Sequence, residues 1–157
     1  MKGTILYPEE SYAIVGACFT VYNELGCGFL EDVYQESREI EFEFQRIPFT
    51  AQKEFNVIYR GRTLRKTFKA DFLCHAKIIL ELKAVSQLVD EHRAQLPNYL
   101  HAARCQLGML VNFGHYPRLE YERLVQTGEK KTPRLTRLDD NDQWRRVEWQ
   151  NDSRLFV

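Results

Sequence analysis

Apolar residues in the first part of the chain recur three and four positions apart, which is the spacing of an α-helix. After Pro8 this pattern predicts a first helix, and Gly26 supplies its C-terminal stop. The apolar positions of this helix are Ile14, Cys18, Val21 and Leu25.

A second helix is predicted between Gly28 and the dipeptide Ile47-Pro48, because a proline disfavours helical backbone in the residue before it. One stripe of this helix is mainly apolar and comprises Leu30, Val33, Ser37, Ile40 and Phe44. The acidic side chains lie mainly elsewhere, at Glu31, Glu36, Glu39 and Glu43. Both helices are therefore expected to be amphipathic, with solvated acidic faces.

From Phe49 the period changes to two, which is typical of strands. The pattern predicts a hairpin that turns at Arg60-Gly61-Arg62 and continues over residues 64–74. A third strand is predicted over residues 77–84. Its apolar run Ile78-Ile79-Leu80 is typical of a central, buried strand.

Ser86 is predicted to cap a third helix over residues 86–104, with a kink at Pro97. Residues 107–113 are almost entirely apolar and predict a buried strand reached by a helical crossover, and residues 118–126 add an edge strand. The order α-α-β-β-β-α-β predicts an α/β fold with a mixed sheet flanked by helices. We expect residues 1–127 to form one domain and residues 128–157 to form a C-terminal extension, packed on the core or partly mobile.

Charge is balanced in the whole chain but not along it. The 22 basic and 22 acidic residues give a net charge of zero. Residues 1–45 nevertheless carry a net charge of −7, residues 46–137 carry +9 and residues 138–157 carry −2. Such asymmetry indicates a polyanion as partner, although solvated helix faces produce it too.

The four cysteines show no C-x-x-C pair and the four histidines form no close cluster, which disfavours a structural zinc site. Each cysteine is instead expected to be a buried thiol in a reducing compartment. The N-terminal residues lack an apolar signal region, and no stretch approaches the length of a membrane span. These features predict a soluble, cytoplasmic protein.

The second and third strands are expected to pair about Ala76, so that opposed residue numbers add up to 152. Asp71 then faces Glu81, and Lys83 joins the same face opposite Lys69. The other face is expected to be wholly apolar, with Phe68, Ala70, Phe72 and Cys74 from one strand and Ile78, Leu80 and Leu82 from the other.

Two carboxylates at this separation repel each other unless a cation lies between them. Hard oxygen ligands without His or Cys indicate Mg²⁺ or Mn²⁺ rather than zinc. Lys83 could then hold the attacking water and stabilise negative charge on a phosphate. The alternative is an ordinary cross-strand salt-bridge cluster.

Two further groups of residues bear on this site. His92, Gln95 and Tyr99 form a polar stripe on the third predicted helix, which is either part of the site or simply open to water. Basic residues crowd the first hairpin, at Arg60, Arg62, Arg65, Lys66 and Lys69. They predict contacts with a nucleic-acid backbone; the alternative is a charged hairpin edge that protects against aggregation.

Six short segments stand in a fixed order between Tyr12 and Gly114. They are Gly26-Cys27-Gly28-Phe29-Leu30-Glu31-Asp32-Val33-Tyr34, Ala70-Asp71-Phe72, Glu81-Leu82-Lys83-Ala84-Val85, His92-Arg93-Ala94-Gln95, Asn98-Tyr99-Leu100 and Leu110-Val111-Asn112-Phe113-Gly114. Together they resemble the GxxExxY family, which is assigned to the PD-(D/E)xK nuclease-like superfamily. Ala70 stands where the superfamily motif has proline.

The resemblance implies a restriction-endonuclease-like fold and a metal-dependent phosphodiesterase. It implies that Asp71 and Glu81 ligate the ion and that Lys83 is the catalytic lysine. Gln95 and Tyr99 would match the QxxxY element of RecB-like members, and Glu31 would be a further metal ligand. The alternative for Glu31 is an acidic group stabilised by the helix dipole alone.

The predicted function is therefore that of a divalent-metal-dependent nuclease, with Mg²⁺ or Mn²⁺ as cofactor and nucleic acid as partner, DNA being favoured over RNA. One alternative is a non-catalytic nucleic-acid-binding or protein-interaction module on the same fold. Another is a structural protein whose charged cluster is an ion-pair network. The oligomeric state is left open.

Overall fold

The computed structural model describes residues 5–126, so the predicted extension at 128–157 lies outside the described residues. Within the described part the elements are α1 (Pro8–Leu25), α2 (Glu31–Phe44), β1 (Phe49–Tyr59), β2 (Arg62–Cys74), β3 (Ile78–Lys83), α3 (Asp90–Ala103), β4 (Leu107–Asn112) and β5 (Glu120–Val125). None of the helices among these residues is long and apolar enough to cross a membrane.

The five strands form one mixed sheet in the order β1-β2-β3-β4-β5. Strands β1, β2 and β3 are joined by tight turns and pair antiparallel, whereas β3 and β4 are parallel because α3 crosses over between them. β5 pairs antiparallel with β4 at the sheet edge. This arrangement confirms the predicted α/β fold and its edge strand.

Helices cover both faces of the sheet. α1 and α2 cover one face, where they enclose an apolar core that includes Ile14, Cys18, Val21, Tyr34, Phe42, Phe72, Cys74, Ile78, Leu80, Met109 and Val111. α3 covers the other face with Leu96 and Leu100, which pack with Ile79 and Leu110. Every residue of β4 is buried, as its almost entirely apolar sequence predicts.

The buried face of α2 differs from the predicted one. Tyr34, Arg38 and Phe42, spaced by four residues, are the buried residues of this helix. The predicted apolar stripe is instead largely exposed, with Leu30, Val33, Ile40 and Phe44 all open to solvent. The aromatic positions Tyr34 and Phe42 thus determine the face of α2 that packs on the sheet, and Arg38 is carried inside between them.

α3 begins at Asp90, four residues later than the prediction from Ser86. The N–H of Val89 donates a hydrogen bond to Nδ1 of His92 (3.1 Å), which satisfies one of the backbone donors before the first turn. His92 therefore caps the helix. The helix continues through Pro97 to Ala103.

The cysteines are only partly as expected. Cys18 and Cys74 are fully buried and Cys105 is half-buried, but Cys27 is exposed in the loop between α1 and α2. All four thiols are free.

Candidate functional site

The site begins where the β2–β3 ladder ends. The ladder pairs Cys74 with Ile78 and Phe72 with Leu80, and the next opposed residues are Asp71 and Glu81. The predicted register is therefore confirmed. At this point the carboxylates accept the backbone hydrogen bonds: the Asp71 N–H donates to Oε1 of Glu81 (3.1 Å), and the Leu82 N–H donates to Oδ2 of Asp71 (2.7 Å).

These bonds hold two acidic side chains side by side in a poorly solvated place. Glu81 is 6% exposed and Asp71 is half-buried. Burial, followed by the negative charge of Asp71, raises the pKa of Glu81 to about 8, while the Asp71 N–H and the charges of Lys83 and Arg38 act in the opposite direction. A pair of this kind favours either a bound proton or a bound cation.

The free oxygens of the pair fit a hard cation. Oε1 of Glu81 and Oδ2 of Asp71 are engaged by backbone donors, which leaves Oε2 of Glu81 and Oδ1 of Asp71. Oδ1 receives one long hydrogen bond from Nε2 of Gln52 (3.5 Å). Carboxylate oxygens are the ligands that Mg²⁺ and Mn²⁺ prefer, so Asp71 and Glu81 could hold such an ion.

Two glutamines that the sequence did not indicate support Asp71. Gln52 reaches the carboxylate from β1, and Nε2 of Gln35 on α2 donates to the Asp71 backbone oxygen (3.3 Å). Gln52 has a left-handed backbone conformation, with φ 50°. Neither glutamine belongs to a recognisable motif, so only the three-dimensional structure identifies them.

The side chains of the hairpin change face next to Asp71. Phe72 packs with α1 and α2, whereas Ala70 packs with α3, although residues two apart in a regular strand share a face. The left-handed Gln52, opposite Asp71, accompanies this change. The prediction of one apolar face running from Phe68 to Cys74 is therefore wrong. Lys69 pairs with Glu54 on the β1 side, and the β2–β3 pairs end at Phe72 and Leu80, so the predicted pair of Lys69 and Lys83 lies beyond this ladder.

Lys83 is half-buried at the end of β3, two residues beyond Glu81. Its backbone oxygen accepts the Phe113 N–H (2.8 Å). The buried side chain of Asn112 fixes the chain just after it, since Oδ1 accepts the N–H groups of Val85 (3.0 Å) and Gly114 (3.0 Å). The position of Lys83 is thus held by the end of the neighbouring strand.

α3 brings Gln95 and Tyr99 to the same region. Nε2 of Gln95 donates to the Tyr99 hydroxyl. The pKa of Tyr99 is raised by burial and then by the negative charges of Glu81 and Asp71. The Tyr99 ring also stacks on Phe68, with centroids 4.2 Å apart. Of the predicted polar stripe, Gln95 and Tyr99 are therefore bonded to each other, whereas His92 caps the N-terminus of α3.

Glu31 is exposed in the first turn of α2. No three His, Cys, Asp or Glu side chains within residues 5–126 are grouped so that they could share an ion. Glu31 as a third ligand therefore stays a prediction. Tyr34 of the same motif stacks on Phe113 (centroids 4.7 Å apart) and its hydroxyl donates to the Gly26 oxygen (2.6 Å), so it closes the loop before α2.

The basic residues predicted to contact nucleic acid lie on the outer half of the β1–β2 hairpin. We call residues 53–69 the hairpin arm. Arg60, Arg62, Arg65, Lys66 and Lys69 are all exposed there. Arg60 and Gly61 both have left-handed backbone (φ 48° and 77°), which gives a two-residue turn compatible with the twist of the strands. The β2 side of the arm carries Arg62, Arg65, Lys66 and Lys69, and the same strand continues to Asp71.

Arg38 is a second feature that the sequence did not indicate as part of the region. Its side chain is fully buried, and its guanidinium lies over the rings of Phe72 (4.5 Å) and Phe113 (5.4 Å). Its Nε and Nη2 atoms have no hydrogen-bond partner. One sequence feature does set Arg38 apart: it is the only basic residue in the acidic region between Lys2 and Arg46.

Comparisons with known proteins bear on the family and the fold. The sequence model of the PD-(D/E)XK nuclease superfamily matches residues 8–124, from the first residue of α1 to the residue before the end of β5. The comparison with curated proteins gives no match.

A solved structure titled "Crystal structure of SSO0001" aligns with a TM-score of 0.51 at 17% identity, over 63% of this chain. The chain spans about half of that solved chain, 52% of its length, and the likeness concerns the fold alone. The match over residues 8–124 shows that the chain belongs to the PD-(D/E)XK nuclease superfamily.

Proposed function

We propose that the protein is a divalent-metal-dependent nuclease that hydrolyses phosphodiester bonds of nucleic acid, DNA in preference to RNA. The observation that carries this proposal is the pair of carboxylates at the end of the β2–β3 ladder, Asp71 and the buried Glu81, with Lys83 two residues further. Membership of the nuclease superfamily supports it. Within that superfamily we propose the GxxExxY type, with Gln95 and Tyr99 as its QxxxY element.

In this proposal Asp71 and Glu81 hold Mg²⁺ or Mn²⁺, with Glu31 as a further ligand. When bound, such an ion supplies an activated water and neutralises charge on the phosphate. The Lys83 ammonium positions the attacking water and stabilises the negative charge that develops on the phosphate oxygens. Gln95 orients the Tyr99 hydroxyl beside the pair.

The hairpin arm is proposed to bind the substrate backbone. Its exposed basic side chains lie on β2 and on the turn before it, so a backbone held along the arm leads towards Asp71. Contacts with phosphates give affinity without reading the sequence of the bases. We propose residues 1–127 as the catalytic domain.

The alternative is a non-catalytic module on the same fold that binds nucleic acid through the arm. It is favoured by the absence of a third acidic ligand near the pair among the residues that the structure describes. It keeps the arm and does not need the metal.

Isothermal titration calorimetry with Mg²⁺ and with Mn²⁺ separates the two functions. Glu81→Gln removes the charge but keeps an oxygen that can accept the Asp71 N–H, so this variant should fold. For a nuclease we expect uptake of the ion by the wild type and at least about tenfold weaker uptake by Glu81→Gln. Equal uptake by both proteins, or none by the wild type, contradicts the metal site and favours the module.

A further inference from the structure

Within residues 5–126, no other element covers an apolar stripe on the exposed side of α2. The α2 stripe comprises Leu30, Val33, Ser37, Ile40 and Phe44, and its large side chains are exposed to 80%, 37%, 50% and 81% at Leu30, Val33, Ile40 and Phe44 respectively. Single exposed apolar residues are common on protein surfaces, but a continuous row along one helix is a mark of an interaction site.

α2 therefore has two apolar faces. Tyr34, Arg38 and Phe42 pack into the core, and the α2 stripe lies about a third of a turn away from them at 100° per residue. The stripe repeats at intervals of three, four, three and four residues, which is the spacing of the seam between two helices in a coiled coil. A helix needs only one such face to pack on its own sheet.

Acidic side chains border the stripe on both edges. Glu36 and Glu43 follow one edge, and Glu41 stands beside the other. In a paired helix these are the positions that face the flanking charges of the partner. Arg38, the single basic residue of α2, is fully buried and does not offset them.

From these observations we infer that the α2 stripe docks a helix of a partner protein, one with an apolar seam bordered by Lys or Arg. A second copy of this chain would bring glutamates against glutamates in either helix direction, which disfavours self-pairing. Gln35, which contacts Asp71, points to the opposite side of α2 from the stripe. A docked helix therefore leaves the carboxylate pair accessible.

The probe is a synthetic helical peptide of about 21 residues, or three heptads, with Leu at the seam and Lys at the flanking positions. Two matched peptides test its features, one with Glu at the flanking positions and one with the Lys sequence scrambled. Binding to the full chain is measured by fluorescence anisotropy at several salt concentrations. Sedimentation velocity on the chain alone tests self-association.

We expect the Lys peptide to bind the wild-type chain and the Glu and scrambled peptides to bind at least about tenfold more weakly. The double variant Val33→Gln/Ile40→Gln should weaken binding at least about tenfold, because both side chains would be buried in the complex. Glu36→Gln/Glu43→Gln should weaken binding and reduce its dependence on salt. Glu24→Gln is the control, because it also removes one negative charge from an exposed position, here on α1. This variant should bind the Lys peptide as the wild type does.

The substituted positions are exposed, so circular dichroism and the melting temperature should stay close to those of the wild type. Equal binding of the scrambled peptide, undiminished binding by Val33→Gln/Ile40→Gln, or no binding of the Lys peptide overturns the inference. Self-association of the wild type that Ile40→Gln abolishes assigns the stripe to a second copy and also overturns it.

Discussion

Glu81 is the residue whose ionisation dominates the proposed site. Its carboxylate is buried at the end of a central strand, beside the charge of Asp71, and these two causes raise its pKa from the ordinary 4.5 to about 8. A buried carboxyl group whose pKa is raised in this way destabilises the fold when it is charged. The cation that we propose removes this conflict.

The metal-free protein should lose stability as the pH rises through this interval. Because the folded chain holds the Glu81 proton more tightly than the unfolded chain, the contribution of Glu81 to the free energy of unfolding is largest below pH 4.5, falls as the pH approaches 8, and then levels off. The loss should be on the order of a few kcal/mol. Urea unfolding with a chelator, compared between wild type and Glu81→Gln, measures it.

Glu81→Gln cannot ionise at this position, so its curve should lack this fall. Addition of Mg²⁺ above pH 8 should restore stability to the wild type and not to the variant. Parallel pH curves for the two metal-free proteins would show that Glu81 titrates normally and that the site is not strained.

Arg38 is the residue whose burial is hardest to reconcile with stability. Its guanidinium is fully buried and contacts aromatic rings and Sγ of Cys18 (4.0 Å), with no carboxylate partner in hydrogen-bonding distance among the described residues. Removing a charge from water without an ion partner is costly, and stacking on aromatic faces offsets only part of this cost.

We expect Arg38→Met to unfold at equal or higher denaturant concentration than the wild type, because Met fills much of the same volume without a buried charge. Arg38→Lys should lose about 1–3 kcal/mol, since an ammonium keeps the charge but cannot stack as a planar group. Guanidinium unfolding of both variants checks this. A greater loss in Arg38→Met than in Arg38→Lys would mean that the charge itself stabilises the fold.

At the scale of elements, the end of β4 fixes the end of β3. Gly114 passes so close to the chain that follows β3 that an added Cβ would lie 2.4 Å from the Val85 oxygen and 2.5 Å from its nitrogen. These are backbone atoms and cannot turn aside. The close approach explains why glycine follows Asn112 and Phe113 here, and it positions the strand that carries Lys83.

Gly114→Ala should therefore destabilise the protein by about 2 kcal/mol or more, because backbone must move to relieve the contact. Gly16→Ala is the matched control: Gly16 lies inside α1 with nothing within 4 Å of the added carbon. That change should stabilise the protein by about 0.5–1 kcal/mol. Urea unfolding gives both values, and an unchanged stability in Gly114→Ala would contradict the close packing.

The sequence correctly predicted those elements whose pattern of apolar and polar residues fits only one structure. The β2–β3 register followed from the turn and the apolar run, and it placed Asp71 against Glu81 correctly. The predicted buried face of α2 was wrong because this helix has two apolar faces, and periodicity alone does not show which of them packs on the sheet. Gln35 and Gln52 were missed for a related reason: their contacts with Asp71 arise from tertiary packing, which leaves no local signal.

At the scale of the molecule, the charge pattern resolves into separate surfaces. Acidic residues of α1 and α2 lie on the helices of one layer, and the hairpin arm extends basic side chains from the sheet edge formed by β1 and β2. A net charge of zero thus conceals a basic arm that leads to the carboxylate pair.

Removing charge from the arm should lower the salt dependence of nucleic-acid binding. Arg62→Gln/Arg65→Gln removes two exposed charges, so the slope of log K against log salt should fall by about 1.8 for duplex DNA. Arg118→Gln, an exposed site in the β4–β5 loop, is the control and should leave the slope unchanged. Binding isotherms at several salt concentrations with Ca²⁺ or no metal measure it. An identical slope in the double variant would place the binding surface elsewhere.

The most direct measurement of the central claim is cleavage of single-stranded, duplex and branched DNA and RNA with Mg²⁺, with Mn²⁺ and with chelator. Wild type should cut at least one substrate only when metal is present. Asp71→Asn, Glu81→Gln and Lys83→Met should each be slower by about a hundredfold or more while remaining folded. Lys77→Met, at the opposite end of the same hairpin, should cut at the rate of the wild type. Cleavage by the three site variants at the wild-type rate, or cleavage that needs no metal, would contradict the proposed site.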